Sequence, residues 1–307
     1  MRCTTWWSAA TSWRCTDRPI QATRQATLRA PGTIAVPRRL CSREIRVSDA
    51  IFTRDGAGLV ASGYAAGPWH PGLQHGGAPS ALVAWAAEQV PTASPMRVAR
   101  VTVELLRPVP VDRLEVESEV IRDGRKIQLV QVRLLHAGKE VTRGIVLRVR
   151  IGDEPLPDGA GIAGGPGSPD DVPPDTTFQG ELPSRVNFGA NFDMRRIRGG
   201  FGQLGPGKMW FRQHRALIAG EAQTPVTRAM AVADFSNGIA PMLPFDAWTF
   251  LNADLTVSFA RAPEGAWIFS DAETWLGEDG AGLAMTRLGD ARGWFGRAVQ
   301  SLIVERR

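Results

Sequence analysis

A stretch rich in proline and glycine divides most of this 307-residue chain into two parts of similar length. It runs from Gly152 to Pro183 and holds seven prolines and seven glycines in 32 residues. Large apolar side chains are too few in it to offset the entropy of ordering, so its composition predicts a linker. The parts on either side, residues 48–151 and 184–307, are therefore candidate domains, and a duplication is the first possibility to test.

The two parts repeat one order of predicted elements. In the first, a helix from Ala78 to Gln89 precedes four strand-like segments, with hairpin signals such as Asp123-Gly124 between them. In the second, Thr224-Pro225 predicts the start of a helix and Asn237-Gly238 its end. The strand-like segments are 100–106, 114–120, 127–135 and 141–149, then 254–259, 267–275, 283–288 and a last one ending at Val304. The pattern predicts an α+β fold built twice.

The net charge of +5 is unevenly distributed. Residues 1–47 contain nine arginines against two acidic residues, which leaves a net charge of −2 for the rest of the chain. A protein that binds a nucleic-acid backbone needs a basic groove on its folded part, so we expect no nucleic-acid partner. All three cysteines also lie in residues 1–47, which show no helical or strand period. We interpret this segment as a disordered leader or a mis-assigned start, with an arginine-rich targeting arm as the rival.

Other broad classes are also disfavoured. The longest apolar stretch is about half of a bilayer span, and residues 1–47 lack the apolar centre of a secretory signal. A body without cysteine favours the cytoplasm, and the predominance of arginine over lysine suggests a bacterial genome rich in GC. The four histidines lack zinc spacing, so no metal is expected. Gly200 to Gly205 fits a dinucleotide pattern, but no helix follows it, so we predict a hairpin turn and no cofactor.

Several short motifs together resemble a known family. They are His75-Gly76-Gly77 before the alanine-rich helix, Asn252 to Val257, Gly280 with Gly282-Leu283, Asp290 to Gly293, and Gln300-Ser301-Leu302. Over about residues 50–307 the chain resembles the thioesterase-like superfamily, in particular double-hotdog proteins related to type II acyl-CoA thioesterases. The resemblance implies a tandem hotdog, in which two antiparallel sheets each wrap around one central helix and join into a pseudo-dimer. Sites then lie at the junction.

The resemblance also implies a reaction, the hydrolysis of a fatty or related acyl-CoA thioester in lipid metabolism. In the family, an aspartate, a threonine and a glutamine of the second half activate a water molecule. Matched by position, these residues fall on Asp234, Asn252 and Gln300, with asparagine in place of the threonine. Asparagine still offers one acceptor and two donors. We expect Asn252 to share a strand face with Asp254 and Thr256, which makes Thr256 a more distant substitute.

Each residue of the implied site has an expected role. Asp234 is the candidate general base, because packing beside apolar groups can raise the basicity of a carboxylate, and Asn252 and Gln300 would hold the water. The candidate substrate-binding residues are His75, Gly76, Gly77 and Thr256. Backbone N–H groups at a helix N-terminus suit a developing oxyanion. The plainer alternative for Asp234 is a helix-terminal carboxylate in solvent, and we favour that reading for Glu88, which also lies nine residues after a proline.

Two other functions stay open. The first is a non-catalytic hotdog protein that binds acyl-CoA or an acyl carrier. The replacement of the family threonine by Asn252 is consistent with this alternative. The second is a hotdog enoyl-CoA hydratase, which is less favoured. Those relatives use an aspartate followed five residues later by a histidine, and this sequence has no such pair. The acyl chain length, the carrier and the oligomeric state are undetermined, with a homodimer of the double-hotdog chain as one candidate.

Overall fold

The computed structural model describes residues 49–177 and 186–307, which belong to one compact unit. The predictions for residues 1–47 and for the end of the linker, residues 178–183, lie outside the described residues. No helix within the described ranges is long and apolar enough to cross a membrane.

Strands dominate the described residues. They are β1 (Ala50–Asp55), β2 (Gly58–Ala61), β3 (Met96–Glu104), β4 (Arg113–Asp123), β5 (Ile127–His136), β6 (Lys139–Arg150), β7 (Phe192–Arg198), β8 (Gly207–Gln213), β9 (Ala216–Ile218), β10 (Trp248–Asn252), β11 (Asp254–Phe259), β12 (Trp267–Leu276), β13 (Ala281–Asp290) and β14 (Gly293–Arg306). The helices are α1 (Gly77–Glu88), α2 (Pro225–Ala233) and the short α3 (Ser236–Ile239), with 3-10 turns at Gly63–Ala65, Pro169–Asp171 and Phe188–Asn191. The predicted α+β composition is confirmed.

The strands form one continuous sheet in the order β7-β8-β12-β13-β14-β11-β3-β6-β5-β4-β2-β1-β9, and β10 also pairs with β14. The pairing is antiparallel throughout except between β1 and β9. Two strand pairs join the halves, β1 with β9 at one end of the sheet and β3 with β11 in its interior, and we call the pairing of β3 with β11 the seam. Thr102 lies opposite Thr256 there, and their hydroxyl oxygens are 3.3 Å apart. The backbone hydrogen bonds therefore cross from one half to the other.

Each long helix packs mainly against the strands of its own half. Helix α1 contacts β3 to β6 and also β9 of the second half, α2 contacts β11, β12 and β13, and the two helices contact each other. Small residues make the contact between α1 and the sheet close. A side chain at Gly144 of β6 would collide with Val83 of α1, so the glycine is needed there. Helix α1 begins and ends within one residue of its predicted bounds.

Helix α2 starts as predicted but ends earlier. Thr224 caps it, accepting a hydrogen bond from the backbone N–H of Thr227, and Pro225 is the first helical residue. The predicted end at Asn237-Gly238 is wrong, because α2 stops at Ala233 and Asp234 is its C-cap. Ser236 donates a hydrogen bond to the carbonyl of Ala233 at 2.6 Å, so a side chain satisfies a carbonyl that the helix leaves unpaired. The chain then makes the separate turn α3.

A β-bulge separates β10 from β11. Asn252 pairs with Leu302 and Thr256 pairs with Val299, so four steps along one strand match three steps along β14. One extra residue reverses the alternation of faces along the strand. The prediction that Asn252 shares a face with Asp254 and Thr256 is therefore wrong. The first half has a similar irregularity in β3, between Val98 and Arg100.

The described part of the linker has little regular structure. Between residues 152 and 177 only the turn Pro169–Asp171 is helical, and this region contains no strand. Its second portion is attached to the second half, because Arg195 of β7 donates hydrogen bonds to the carbonyls of Pro169 and Val172. The segment with the dinucleotide-like pattern, residues 200–205, lies in the loop that connects the antiparallel strands β7 and β8, as predicted.

Candidate active site

The carboxyl group of Asp234 is buried between the two central helices. Asp234 follows the last residue of α2, and its side chain is 3% exposed. It lies against the start of α1, since a Cβ atom built on Gly76 would be 2.8 Å from Asp234 Oδ2. The end of one helix therefore meets the beginning of the other at this carboxylate. The solvent-exposed alternative for Asp234 is wrong.

Two side-chain amides donate to the same oxygen of this carboxylate. Asn252 Nδ2 lies 2.8 Å from Asp234 Oδ1, and Gln300 Nε2 lies 3.0 Å from it. The bulge after β10 lets Asn252 reach the buried carboxylate. Gln300 lies on the interior strand β14 and is fully buried, and its Oε1 accepts a hydrogen bond from Asn237 N–H at 3.3 Å. The amide orientation of Gln300 is therefore fixed from both ends.

The other carboxylate oxygen faces a histidine. His75 Nδ1 lies 2.8 Å from Asp234 Oδ2, a distance that places one proton between the two atoms. The N–H of Gly77 lies 3.1 Å from the same nitrogen. When Nδ1 holds the proton, it donates to Asp234; when Asp234 holds it, Nδ1 can accept from Gly77. The two contacts therefore direct Nδ1 of the imidazole toward the Asp234 carboxylate.

Glycine is required at the start of α1. A Cβ atom at Gly77 would lie 2.7 Å from the carbonyl oxygen of Ala231 and 2.7 Å from the ring of Phe188, so a side chain there would push the helices apart. Gly76 has the same constraint against Asp234. The N–H of Gly76 makes no hydrogen bond within the described residues. The first turn of α1 therefore directs a backbone donor and the positive end of the helix dipole toward the Asp234 region.

The structure brings most of the predicted site residues into one cluster, but not all of them. The members of the Asp234 cluster are Asp234, Asn252, Gln300, His75, Gly76 and Gly77. Thr256 lies apart from the cluster. Its hydroxyl is hydrogen-bonded to Thr102 at the seam, on the face of β11 opposite to the buried Leu255 and Val257. Within the described ranges, no group of three or more His, Cys, Asp or Glu side chains is arranged to hold a metal ion.

Glu88 ends α1 in a related setting. Its Oε2 accepts a hydrogen bond from the hydroxyl of Thr224, the cap of α2, at 2.7 Å. Burial raises the pKa of Glu88, while the Thr224 hydrogen bond and the positive charge of Arg148 oppose that rise. The expectation of an exposed helix end is therefore wrong. Among the described residues, no side-chain amide donates to Glu88, unlike Asp234.

A small apolar depression, with room for about one water molecule, adjoins the Asp234 cluster. Its wall includes Asn237, Met242, Phe250 and Leu302. Asn237 also donates to Gln300, and Leu302 pairs with Asn252, so the depression begins beside the two amides. Apolar walls next to a few fixed polar groups are typical of small-molecule sites.

For three residues beside the Asp234 cluster, nothing in the sequence indicated a role in the site. Phe188 is stacked on one face of the His75 ring, and Phe235 lies tilted beside it, with ring centroids 4.6 Å and 4.7 Å away. Asn237, interpreted as a helix stop, holds Gln300 through its backbone. Buried aromatic rings are ordinary core residues in any sequence, so only the fold reveals that these two touch a polar group.

Two family models match the chain. One is described as the acyl-CoA thioesterase N-terminal domain and matches residues 65–149; the other is described as the acyl-CoA thioesterase C-terminal domain and matches residues 169–304. Together they cover more than half of the sequence. The chain belongs to the acyl-CoA thioesterase family of double-hotdog proteins. This membership confirms the resemblance drawn from the motifs. None of the curated proteins matches the sequence significantly.

Solved structures with low sequence identity share the fold of this thioesterase family member. A hotdog protein of unknown function from Alicyclobacillus acidocaldarius has a TM-score of 0.65 at 17% identity, covering 84% of this chain and 97% of its own. A candidate thioesterase from Novosphingobium aromaticivorans has a TM-score of 0.62 at 21% identity, with 82% and 98% covered. An acyl-CoA thioesterase II from Mycobacterium marinum has a TM-score of 0.54 at 16% identity, with 76% and 91% covered. These similarities confirm the hotdog fold.

Proposed function

We propose that the protein hydrolyses acyl-CoA thioesters by direct attack of a water molecule that Asp234 deprotonates. The observation that carries this proposal is the buried Asp234 carboxylate, held by Asn252 and Gln300 on one oxygen and facing His75 on the other. Membership in the acyl-CoA thioesterase family supports the substrate class.

The hydrogen-bond pattern selects the oxygen that takes the proton. Oδ1 of Asp234 already accepts from two amides, whereas the one polar side chain that Oδ2 meets among the described residues is His75, which leaves a lone pair for water. The side-chain carbonyl oxygen of Asn252 can accept the second hydrogen of that water and so orient the attack of the water. Asp234 takes the first hydrogen as a proton, and its contact with His75 stabilises the resulting carboxylic acid.

The start of α1 supplies the second part of the mechanism. Attack on the thioester carbonyl carbon places negative charge on its oxygen, and the N–H of Gly76 with the dipole of α1 stabilises that charge. The tetrahedral intermediate then expels the CoA thiolate, which receives the proton that Asp234 took from water. The products are the free acid and the thiol, with no covalent enzyme intermediate and no cofactor.

The architecture fits a substrate that lies between the two halves. We propose that residues 48–151 and 184–307 are two hotdog domains, each with its own helix and its own portion of the continuous sheet, joined as a pseudo-dimer at the seam. The fatty or related acyl chain would extend along the apolar wall of the small depression beside Asn252 and Gln300. A cytoplasmic location in a bacterium, a role in lipid metabolism and a homodimer of the whole chain remain part of the proposal.

A binding protein without turnover is the second candidate. The observation that favours it is the position of Asn252, which replaces the threonine of the family. Its side-chain amide donates a hydrogen bond to Asp234 Oδ1. A carboxylate that accepts several hydrogen bonds is stabilised in its ionised form, which makes it a weaker base. A hydratase is less supported, because no histidine follows an aspartate at the required spacing.

Thiol release distinguishes these functions. We would measure release of CoA thiol from a panel of saturated acyl-CoAs with the wild-type protein and with Asp234→Asn. Thiol release by the wild-type protein that is lost in Asp234→Asn supports hydrolysis. Thermal stabilisation by acyl-CoA without thiol release from any panel member would contradict it and support the binding protein.

A further inference from the structure

We propose that Phe188 is a positioning residue that holds the His75 imidazole in line with Asp234. The inference rests on the proposed hydrolysis, because it assigns Phe188 to the same site. The rings of Phe188 and His75 are stacked, with centroids 4.6 Å apart and planes inclined by 17°. The ring of Phe235 lies 4.7 Å from the imidazole and 5.6 Å from the ring of Phe188, so it packs beside Phe188 and not on the opposite face. Phe188 therefore covers one face of the imidazole, and Phe235 contacts the imidazole from the side.

The turn that contains Phe188 is hydrogen-bonded to the segment that leads to His75. Phe188 N–H donates to the carbonyl of Ala66 at 2.8 Å, and Asn191 Nδ2 donates to the carbonyl of Tyr64 at 2.9 Å. His75 N–H donates to the carbonyl of the adjacent Ala65, also at 2.8 Å. The beginning of the second half is thus hydrogen-bonded to the segment of the first half that leads into α1. Backbone contacts fix the relative position of the two Cα atoms.

Backbone contacts alone leave the imidazole free to rotate. The ring of a histidine turns about two side-chain bonds, and the rotation about the second bond is only weakly restricted. The stacked ring of Phe188 on one face and the tilted ring of Phe235 beside it exclude many of those rotations. The orientation that remains directs Nδ1 to Asp234 Oδ2 at 2.8 Å. Phe188 therefore acts on the proposed proton transfer through His75, without touching the reacting atoms.

The lack of a side chain at Gly77 is needed for the stacking of Phe188 on His75. A Cβ atom at Gly77 would lie 2.7 Å from the Phe188 ring, so the absence of a side chain lets that ring reach the imidazole. Phe188 itself is fully buried. The stacking thus depends on two residues that are distant in the sequence, one in each half of the chain.

A matched pair of substitutions tests the assignment. Phe188→Leu removes the ring that contacts His75, and Phe192→Leu is the control. Phe192 is equally buried, its ring lies 5.3 Å from that of Phe188 and 5.2 Å from that of Phe235, and it makes no recorded ring contact with His75. Both changes leave a similar cavity, so both should lower the melting temperature by a similar amount. Only Phe188→Leu should alter the orientation of His75.

Steady-state kinetics with the best acyl-CoA of the panel separate the two roles. We expect Phe188→Leu to lower kcat by about tenfold or more with KM unchanged, since misplacement of a positioned group slows the chemical step rather than substrate binding. Phe192→Leu should retain a kcat close to that of the wild type. Equal kcat values for the two variants would overturn the proposal. Phe188→Met, which fills the space without a planar face, should reproduce the kcat loss if Phe188→Leu does not fold.

Proton NMR gives a readout that does not need turnover. The stacked Phe188 ring should shift the imidazole C–H resonances of His75 upfield, and this shift should vanish in either Phe188 variant and persist in Phe192→Leu. If the wild type shows the shift but releases no thiol, the proposed hydrolysis fails while the ordering of His75 by Phe188 stands. If both Phe188 variants fail to fold while Phe192→Leu folds, Phe188 is a structural residue and the proposal is overturned.

Discussion

Asp234 and Glu88 occupy matching positions, because each carboxylate ends one central helix and lies at the start of the other. Asp234 lies beside Gly76 at the start of α1, and Glu88 accepts a hydrogen bond from Thr224 at the start of α2. Their other partners differ. Two side-chain amides and a histidine surround Asp234, whereas a hydroxyl and the more distant charge of Arg148 act on Glu88. The proposed acid–base chemistry is therefore assigned to the junction at Asp234 and not to the one at Glu88.

We predict that Asp234→Asn and Glu88→Gln have opposite consequences for activity. Asp234→Asn preserves the shape of the side chain but removes the proposed base, so kcat should fall by about 1,000-fold. Glu88→Gln should leave kcat close to that of the wild type, because a glutamine can still accept from Thr224. Thiol-release assays on both purified variants check this. A comparable loss of kcat in the two variants would mean that both helix junctions take part.

Asn252 should matter more than Thr256, although both were candidates from the sequence. Asn252→Ala removes the 2.8 Å hydrogen bond to Asp234 and the carbonyl that orients the water, so we expect kcat to fall by about 100-fold. Thr256→Val removes a hydroxyl whose partner is Thr102 at the seam, and its kcat should match that of the wild type. Measuring both variants with one substrate decides the point. A large kcat loss in Thr256→Val would place the substrate at the seam.

The stability of the second half should depend on Asp290 at low pH. Asp290 is fully buried and pairs with Arg261 at 2.6 Å. Burial alone would raise the pKa of Asp290. However, hydrogen bonds from Arg261 and from the N–H groups of Glu264 and Arg292 outweigh it, so the pKa lies below its ordinary value of 3.8. The ionised group therefore stabilises the fold above about pH 4, and this contribution is lost as the pH falls further.

Asp290→Asn tests that dependence. The change leaves Arg261 without its charged partner, so the free energy of unfolding at neutral pH should fall by about 3 kcal/mol. The difference from the wild type should shrink as the pH drops below about 4, because the Asp290 carboxyl is protonated first in the unfolded chain and then, as the pH falls through its lowered pKa, in the folded protein. Urea denaturation over a pH series measures both effects. Glu117→Gln, at an ion pair with Arg133 whose side chains are 49% and 40% exposed, should cost less than about 1 kcal/mol. A pH-independent difference for Asp290→Asn would refute the assignment.

Local patterns in the sequence predicted the elements better than their junctions. Thr224-Pro225 marked the start of α2 because capping depends on neighbouring residues alone. The end of α2 at Ala233 and the bulge after Asn252 were not predicted, since they depend on hydrogen bonds from Ser236 and on pairing with a strand about 50 residues away. The family resemblance selected Asp234 and Gln300, which no local pattern marks. The stacking of Phe188 on His75 joins the two halves, so no local window of sequence could reveal it.

The backbone conformation of Gly76 is compatible with alanine, but the space around it is not. Its φ of −57° and ψ of −23° are helical, so alanine adds no backbone strain. The added Cβ atom would lie 2.8 Å from Asp234 Oδ2 and must displace that carboxylate. Since a displaced base no longer meets the water held by Asn252, Gly76→Ala should lower kcat by about 100-fold. Gly152→Ala is the matched control, because a Cβ atom there meets nothing within 4 Å. Thiol-release kinetics and thermal melts on both variants give the answer, and wild-type kcat in Gly76→Ala would show that the close approach of α1 to Asp234 is not needed for turnover.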